Sequence, residues 1–229
     1  MDNNKNNQTK FYANEVVEVD GFQLEGSVLK SYTGRRRKLT LPEGITAIGT
    51  GAFFFRYNVV SITIPKGVTA IGSGAFCFCS KLASINIPEG VTTIDDEAFL
   101  ECWELEHIQI PKSVFFLSGS AFRGCDGLTS LQVAEGNEVY YSAGNCIIET
   151  ETNTLVCGCK TSVIPDGVTA IGAEAFSFNT VLRDITIPES VTMIDATAFE
   201  NCWQVRIHAK IGSYAAKFAM QHNISLVAE

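Results

Sequence analysis

The segment Pro88–Ile110, PEGVTTIDDEAFLECWELEHIQI, decides the fold. Its expected inward residues Val91, Ile94, Ala98, Phe99, Cys102, Leu105, Ile108 and Ile110 are too few to close a core alone. The last stretch alternates at period two, so Ile108 and Ile110 point inward and His107 and Gln109 point outward, as in a half-buried strand. Pro111 ends that strand because its nitrogen carries no hydrogen for a ladder. The related segment Gly67–Gly72 reads as a turn plus a short second strand, and the Ala-Phe stretch after it as a tight helical turn.

Working outward, the pattern recurs. Prolines stand at Pro42, Pro65, Pro88, Pro111, Pro165 and Pro188, at intervals of 23, 23, 23, 54 and 23, and the pairs Ala52-Phe53, Ala75-Phe76, Ala98-Phe99, Ala121-Phe122, Ala175-Phe176 and Ala198-Phe199 keep the same period. Two residue types on one period specify a solenoid, in which each unit's apolar face is covered by the equivalent residues of its neighbours. The interval of 54 reads as including one additional coil with an eight-residue insertion. Three residues after each Ala-Phe pair stand Arg56, Cys79, Cys102, Cys125, Asn179 and Cys202. A small polar group there can satisfy backbone groups of the adjacent loop. Arg56 departs from the pattern, which marks the first coil as capping or solvent-facing at that corner.

The combination IPxGVTxIGxxAFxxCxxLxxIxIP resembles the bacterial BspA-type leucine-rich repeat, over about residues 11 to 229. The resemblance implies an α/β leucine-rich-repeat solenoid of about seven coils, dominated by short parallel strands, with terminal caps and a β-hairpin insertion. The expected divisions are a disordered polar tail at 1–10, an N-terminal cap at 11–41, four repeats at 42–133, a hairpin-bearing irregular coil at 134–164, further repeats at 165–210, and a helical cap with a last strand at 211–229. In that C-terminal cap Ser213 is the expected N-cap, Tyr214, Phe218 and Ala219 form one apolar helical face, and Ile224–Val227 supplies the strand. The cap is read as completing the solenoid at that end. The family's proteins are mostly surface or secreted interaction proteins that bind host or bacterial proteins, and a comparable hairpin is common among them.

Within the insertion, Glu135–Cys159, the alternation suggests a hairpin turning at Glu151-Thr152, with Cys146 facing Cys157, Ile148 facing Leu155 and Thr150 facing Asn153. Cys159, 23 residues before Leu182, takes a buried leucine position. Of the eight cysteines, Cys79, Cys102, Cys125 and Cys202 are explained by the repeat and Cys159 by the core, as small buried hydrophobes. A Cys146–Cys157 disulfide is the alternative to free thiols, since facing strand positions meet the required separation. Cys157-Gly-Cys159 lacks the spacing of a zinc knuckle and has no second pair, so no metal site is expected.

The composition excludes several classes. The chain of 229 residues has 17 Lys+Arg against 25 Asp+Glu, a net charge of −8, and is 46% hydrophobic and 18% charged. That composition excludes disorder, and the acidic balance argues against nucleic acid as a partner. The longest apolar runs fall short of the roughly 20 residues that span a bilayer. Met1–Lys10 lacks the apolar centre of a secretory signal peptide, so the chain is expected to be cytoplasmic or a piece of a longer one. His107, His208 and His222 lie in separate units, and no nucleophile, base and orienting group share a signature, so no catalytic residues are expected. Neither a P-loop nor a dinucleotide fingerprint occurs, and no cofactor is expected. The run Arg35-Arg36-Arg37-Lys38 is the one dense basic patch and reads as a solvated turn after Gly34.

Stacking at about 4.8 Å per coil turns outward strand positions into ladders. One row is Ser61, Ser84, His107, Ser130, Thr161 and Asp184, and the other is Thr63, Asn86, Gln109, Gln132, Val163 and Thr186. This small, polar face suits an extended polypeptide or a glycan, and the alternative is a merely solvated sheet. Tyr57, Trp103 and Trp203 share one loop position and either anchor a partner at the rim or pack between coils. The expected function is noncatalytic binding of a protein ligand, host or bacterial, across the strand face. By resemblance this is a cell-surface adhesion role, and the alternatives are an intracellular structural scaffold or a glycan-binding module.

Overall fold

The computed structural model describes residues 16–229. The polar tail expected at 1–10 and the start of the cap at 11–15 lie outside the described residues. The chain winds into a β-solenoid of about nine turns. The expectation of about seven omitted the caps, which themselves supply coils through Val28–Tyr32 and Lys38–Thr40 at one end and Ser225–Ala228 at the other.

Each regular coil has three sides. A front strand such as Ser61–Thr63 pairs in parallel with the equivalent strand Ser84–Asn86, at the 23-residue register Ser61↔Ser84 and Thr63↔Asn86. A two-residue strand such as Ala70–Ile71 forms the second side, pairing with Ala47–Ile48 and Thr93–Ile94. The third side is a back turn carrying Ala-Phe. It is a hydrogen-bonded turn rather than the helical turn expected, because residues such as Phe55, Phe78 and Glu101 adopt left-handed φ values of 58°, 59° and 60° and reverse the chain. The back turns also bond between coils, with Phe53, Phe76 and Phe99 N–H donating to Ala75, Ala98 and Ala121 carbonyls at 2.7, 2.8 and 2.8 Å.

The eight residues of Pro88–Ile110 expected to point inward are all buried, whereas Leu100 is half-buried and Trp103 exposed. Phe53, Phe76, Phe99 and Phe122 stack with ring centroids 5.2 to 5.3 Å apart, and Phe176 and Phe199 repeat the stack at 5.2 Å. Full burial of one such ring contributes about 1.5–3 kcal/mol, so the periodic phenylalanine is a principal source of cohesion. The helix Tyr214–Gln221 covers the C-terminal end, with the Ser213 hydroxyl accepting from Ala216 N–H. Its buried face is Ala215, Ala216, Phe218 and Ala219, whereas Tyr214 is exposed.

The insertion contains the expected hairpin, Cys146–Glu149 against Thr154–Gly158 turning through residues 150–153, and extends it by one strand. It is a three-stranded antiparallel meander, Tyr140–Ala143, Cys146–Glu149 and Thr154–Gly158, whose last strand runs parallel to Ala170–Ile171. A bulge between Ile147 and Ile148 shifts the register, so Cys146 opposes Gly158 and Cys157 opposes Ile147, while Ile148 opposes Leu155 as expected. Cys146 packs with the C-terminal core cluster and Cys157 with the N-terminal one. The two thiols therefore do not face one another, and all eight cysteines are free.

The inserted segment supplies no Ala-Phe back turn, so the back turns on either side meet directly. Asp126 accepts from Thr180 N–H at 3.0 Å, and Arg123 pairs with Glu97 at 3.1 Å and Glu174 at 3.0 Å while lying over the Phe178 ring. Gly158 sits where a Cβ would collide with the Phe176 ring, and its N–H donates to Ala175 at 2.8 Å.

Candidate binding face

The front strands fix the face residue by residue. Alternation buries Ile62, Ile108, Leu131 and Ile185, leaving the intervening side chains outward. Thr63, Ser84, Asn86, His107, Gln109, Gln132, Thr161, Val163, Asp184 and Thr186 are exposed, and Ser61 and Ser130 are half-buried. His107 aligns with Ser130 and Gln109 with Gln132. The rows extend beyond the residues expected from the repeat, to Lys38 and Thr40 at one end and Arg206 and His208 at the other.

The rows are not continuous. The meander turn Gly144-Asn145 reaches the front face beside Gln132, and the Gly144 carbonyl accepts Val163 N–H at 2.8 Å. Ser142 Oγ accepts Val133 N–H at 3.0 Å, and Asn145 donates to Thr161 Oγ1 at 3.3 Å. Ser142 and Asn145 thus belong to the face, although the repeat period did not reveal them. The signal present in the sequence was Gly144-Asn145, a hairpin dipeptide between alternating stretches.

At the C-terminal end the face becomes charged. Asp184 accepts from Arg206 at 2.8 Å and meets His208 Nε2 at 2.7 Å, with Glu229 at 3.7 Å from His208 Nδ1. Hydrogen bonds from Arg206, then from His208, hold the Asp184 carboxyl below its ordinary range. Beside the strands, in the loops that lead into them, Tyr57, Trp103 and Trp203 are 56%, 53% and 77% exposed, so these rings project to solvent. Trp103 Nε1 donates to the Glu101 carboxylate.

The repeated cysteines, which in two coils immediately precede the exposed tryptophans, close the corner after the back turn. Cys79, Cys102, Cys125 and Cys202 donate S–H to the Phe53, Phe76, Phe99 and Phe176 carbonyls at 3.2, 3.3, 3.0 and 2.9 Å. Asn179 serves the same corner differently, its Oδ1 accepting Leu182 N–H at 3.0 Å. Burial pushes Cys79 and Cys202 up to about 12, which keeps them protonated and poor nucleophiles. His107 lies 3.7 Å from Glu106, and His222 stacks on Phe218. Among the described residues no group of three or more His, Cys, Asp or Glu could hold a metal ion, and no helix is long and apolar enough to cross a membrane.

The sequence model of the BspA type leucine rich repeat region matches residues 31–143 and 148–221, in six copies. No curated protein matches the chain. Among solved structures, a leucine-rich repeat protein from Eubacterium ventriosum is 21% identical, with a TM-score of 0.59 over 81% of this chain and 66% of that one. The pneumococcal vaccine antigen PcpA is 16% identical, with a TM-score of 0.55 over 85% of this chain and 70% of that one. The T. pallidum leucine rich repeat protein is 19% identical, with a TM-score of 0.50 over 94% of this chain and all of that one. At these identities the likeness is one of fold.

Proposed function

Because the chain belongs to the BspA-type leucine-rich repeat family, we propose that it is a noncatalytic interaction module whose front face binds an extended segment of a protein partner. The carrying observation is the pair of outward polar rows, held in register by buried residues at every alternate position. Such a surface offers side-chain donors and acceptors on every coil, about 4.8 Å apart from coil to coil, along which an extended segment can be held. Its rigidity reduces the ordering cost on binding. Exposed Trp103 and Tyr57 at the rim supply the aromatic anchors that dominate many interfaces. Leucine-rich repeat proteins are generally noncatalytic scaffolds.

The test compares the wild type with His107→Ala/Gln109→Ala/Gln132→Ala on arrays of immobilised peptides and oligosaccharides. Peptides held by the wild type and lost by the triple variant support the reading. Ladder-dependent retention of oligosaccharides alone replaces it with glycan binding, and ligands indifferent to the triple variant remove the strand face from consideration. Display at the cell surface is the placement favoured by family resemblance, and protease shaving of intact source cells should then release the protein before lysis.

A further inference from the structure

Two departures from the repeat, far apart in the reading of the sequence, meet at the N-terminal end of the solenoid. One is the basic run beginning at Arg35, and the other is Arg56, which stands where the other coils carry Cys or Asn. Gly34, Arg35 and Arg36 form one wall of a groove of about 390 Å³, and Phe55, Arg56 and Tyr57 belong to the other. The walls are fixed. Arg36 N–H donates to Tyr32 Oη at 3.1 Å, and the Arg37 carbonyl accepts Val60 N–H at 2.7 Å. Phe55 holds a left-handed φ of 58°, uncommon for a bulky residue, and its ring stacks on Phe78 at 4.7 Å.

Arg56 has lost the corner bond that a cysteine makes in four other coils. Its Nε is buried and has no hydrogen-bond partner among the described residues. That N–H is not satisfied by its own coil, and the residue that carries it lines the groove. Asp20 meets Arg36 at 3.6 Å, but both side chains are more than half exposed, so that pair is weak and displaceable.

We infer that this groove is a binding site for an acidic peptide segment, whose carboxylates are held by Arg35, Arg36 and Arg56 and whose neighbouring apolar or aromatic side chain lies against Phe55 and Tyr57. Guanidinium forks match carboxylates bidentately, and the exposed rings add apolar wall on the same side. The groove favours a peptide over nucleic acid because the chain carries a net charge of −8. A long polyanion following the surface beyond the groove meets repulsion, whereas a short acidic segment keeps its charge within a Debye length of about 10 Å of the arginines. The inference does not rest on the strand-face reading: the groove contains none of the ladder residues and shares with that reading only the rim residue Tyr57.

The test is fluorescence anisotropy of the full chain with a dye-labelled peptide of alternating Glu and Phe, its Gln counterpart, and an oligonucleotide of equal charge. The wild type should bind the Glu peptide saturably at 50 mM salt and at least tenfold more weakly at 300 mM. Arg56→Cys, which installs the residue most other coils carry, and Arg35→Ser/Arg36→Ser should each weaken binding at least tenfold without lowering the melting temperature. The double variant lies on exposed positions and carries the test if Arg56→Cys folds poorly. His107→Ala/Gln109→Ala/Gln132→Ala should leave this binding intact, which separates the site from the strand face. Absence of saturable binding, equal binding of the Gln peptide, indifference to the arginine variants, or tighter binding of the oligonucleotide overturns the inference.

Discussion

At the scale of single residues, the buried cysteines combine packing with a weak hydrogen bond. The ordinary thiol value is 9.0, and burial pushes Cys79, Cys146 and Cys202 up to about 12 in the folded chain. Above pH 9 an unfolded chain ionises these thiols and the folded chain does not. Their contribution to stability is therefore full below about pH 9 and is lost as pH rises toward 12. The melting temperature is expected to fall across that window. Cys79→Ala/Cys202→Ala should show a shallower fall, while costing about 1–2 kcal/mol per site at pH 7 through lost packing and an unsatisfied carbonyl. Titration with a thiol reagent at pH 8 should find the native protein nearly inert and all eight cysteines reactive after unfolding.

At the scale of elements, the meander and the two back turns it brings together are the structural departure. Gly158→Ala places a methyl group against the Phe176 ring, so the strand must shift or the stack must open. Overpacking of this kind should lower stability by about 1–3 kcal/mol, read from the urea midpoint. Arg123→Met should remove about 1–2 kcal/mol, because Arg123 is the largely covered cation between Glu97 and Glu174. The figure is discounted for the exposure of the two carboxylates. The repeat period made the front strands, the second-side strands and the stacked phenylalanines legible from spacing alone. The meander was only half legible. Its Thr154–Gly158 strand alternates, but Cys146–Glu149 buries three residues in a row, and a bulge at Ile147/Ile148 leaves no periodic trace and turns Cys157 from Cys146 toward Ile147.

At the scale of the whole molecule, the core divides into two clusters that meet at the meander, one reaching from Phe22 to Cys159 and the other from Cys146 to Ala219. A stack of coils is stabilised mainly through nearest neighbours, so an irregular coil is where cooperativity weakens. Hydrogen exchange under mild denaturant is expected to resolve two protected units with a boundary within residues 144–159. A single uniform unit would show that the Arg123 and Asp126 contacts couple the halves fully. Deleting the residues after Lys210 should expose Phe199 and Ile207 and produce aggregation, measured by light scattering, because the helix and last strand cover that end.

The sequence by itself determined the coil. A 23-residue period of proline, Ala-Phe and alternating isoleucine admits one way of burying every apolar side, and so assigned Ile108 inward and His107 outward without reference to any contact. The outward rows followed, since stacking equivalent coils aligns equivalent residues. Only the tertiary structure decided what depends on contacts outside the period. It showed that the caps are themselves coils, that Gly144-Asn145 interrupts the front face, that Cys146 and Cys157 point into different clusters, and that Arg35, Arg36 and Arg56 share one groove. Periodicity fixes direction relative to the core, whereas a bulge, a missing back turn or the meeting of two loops is settled by packing among residues that no repeat relates.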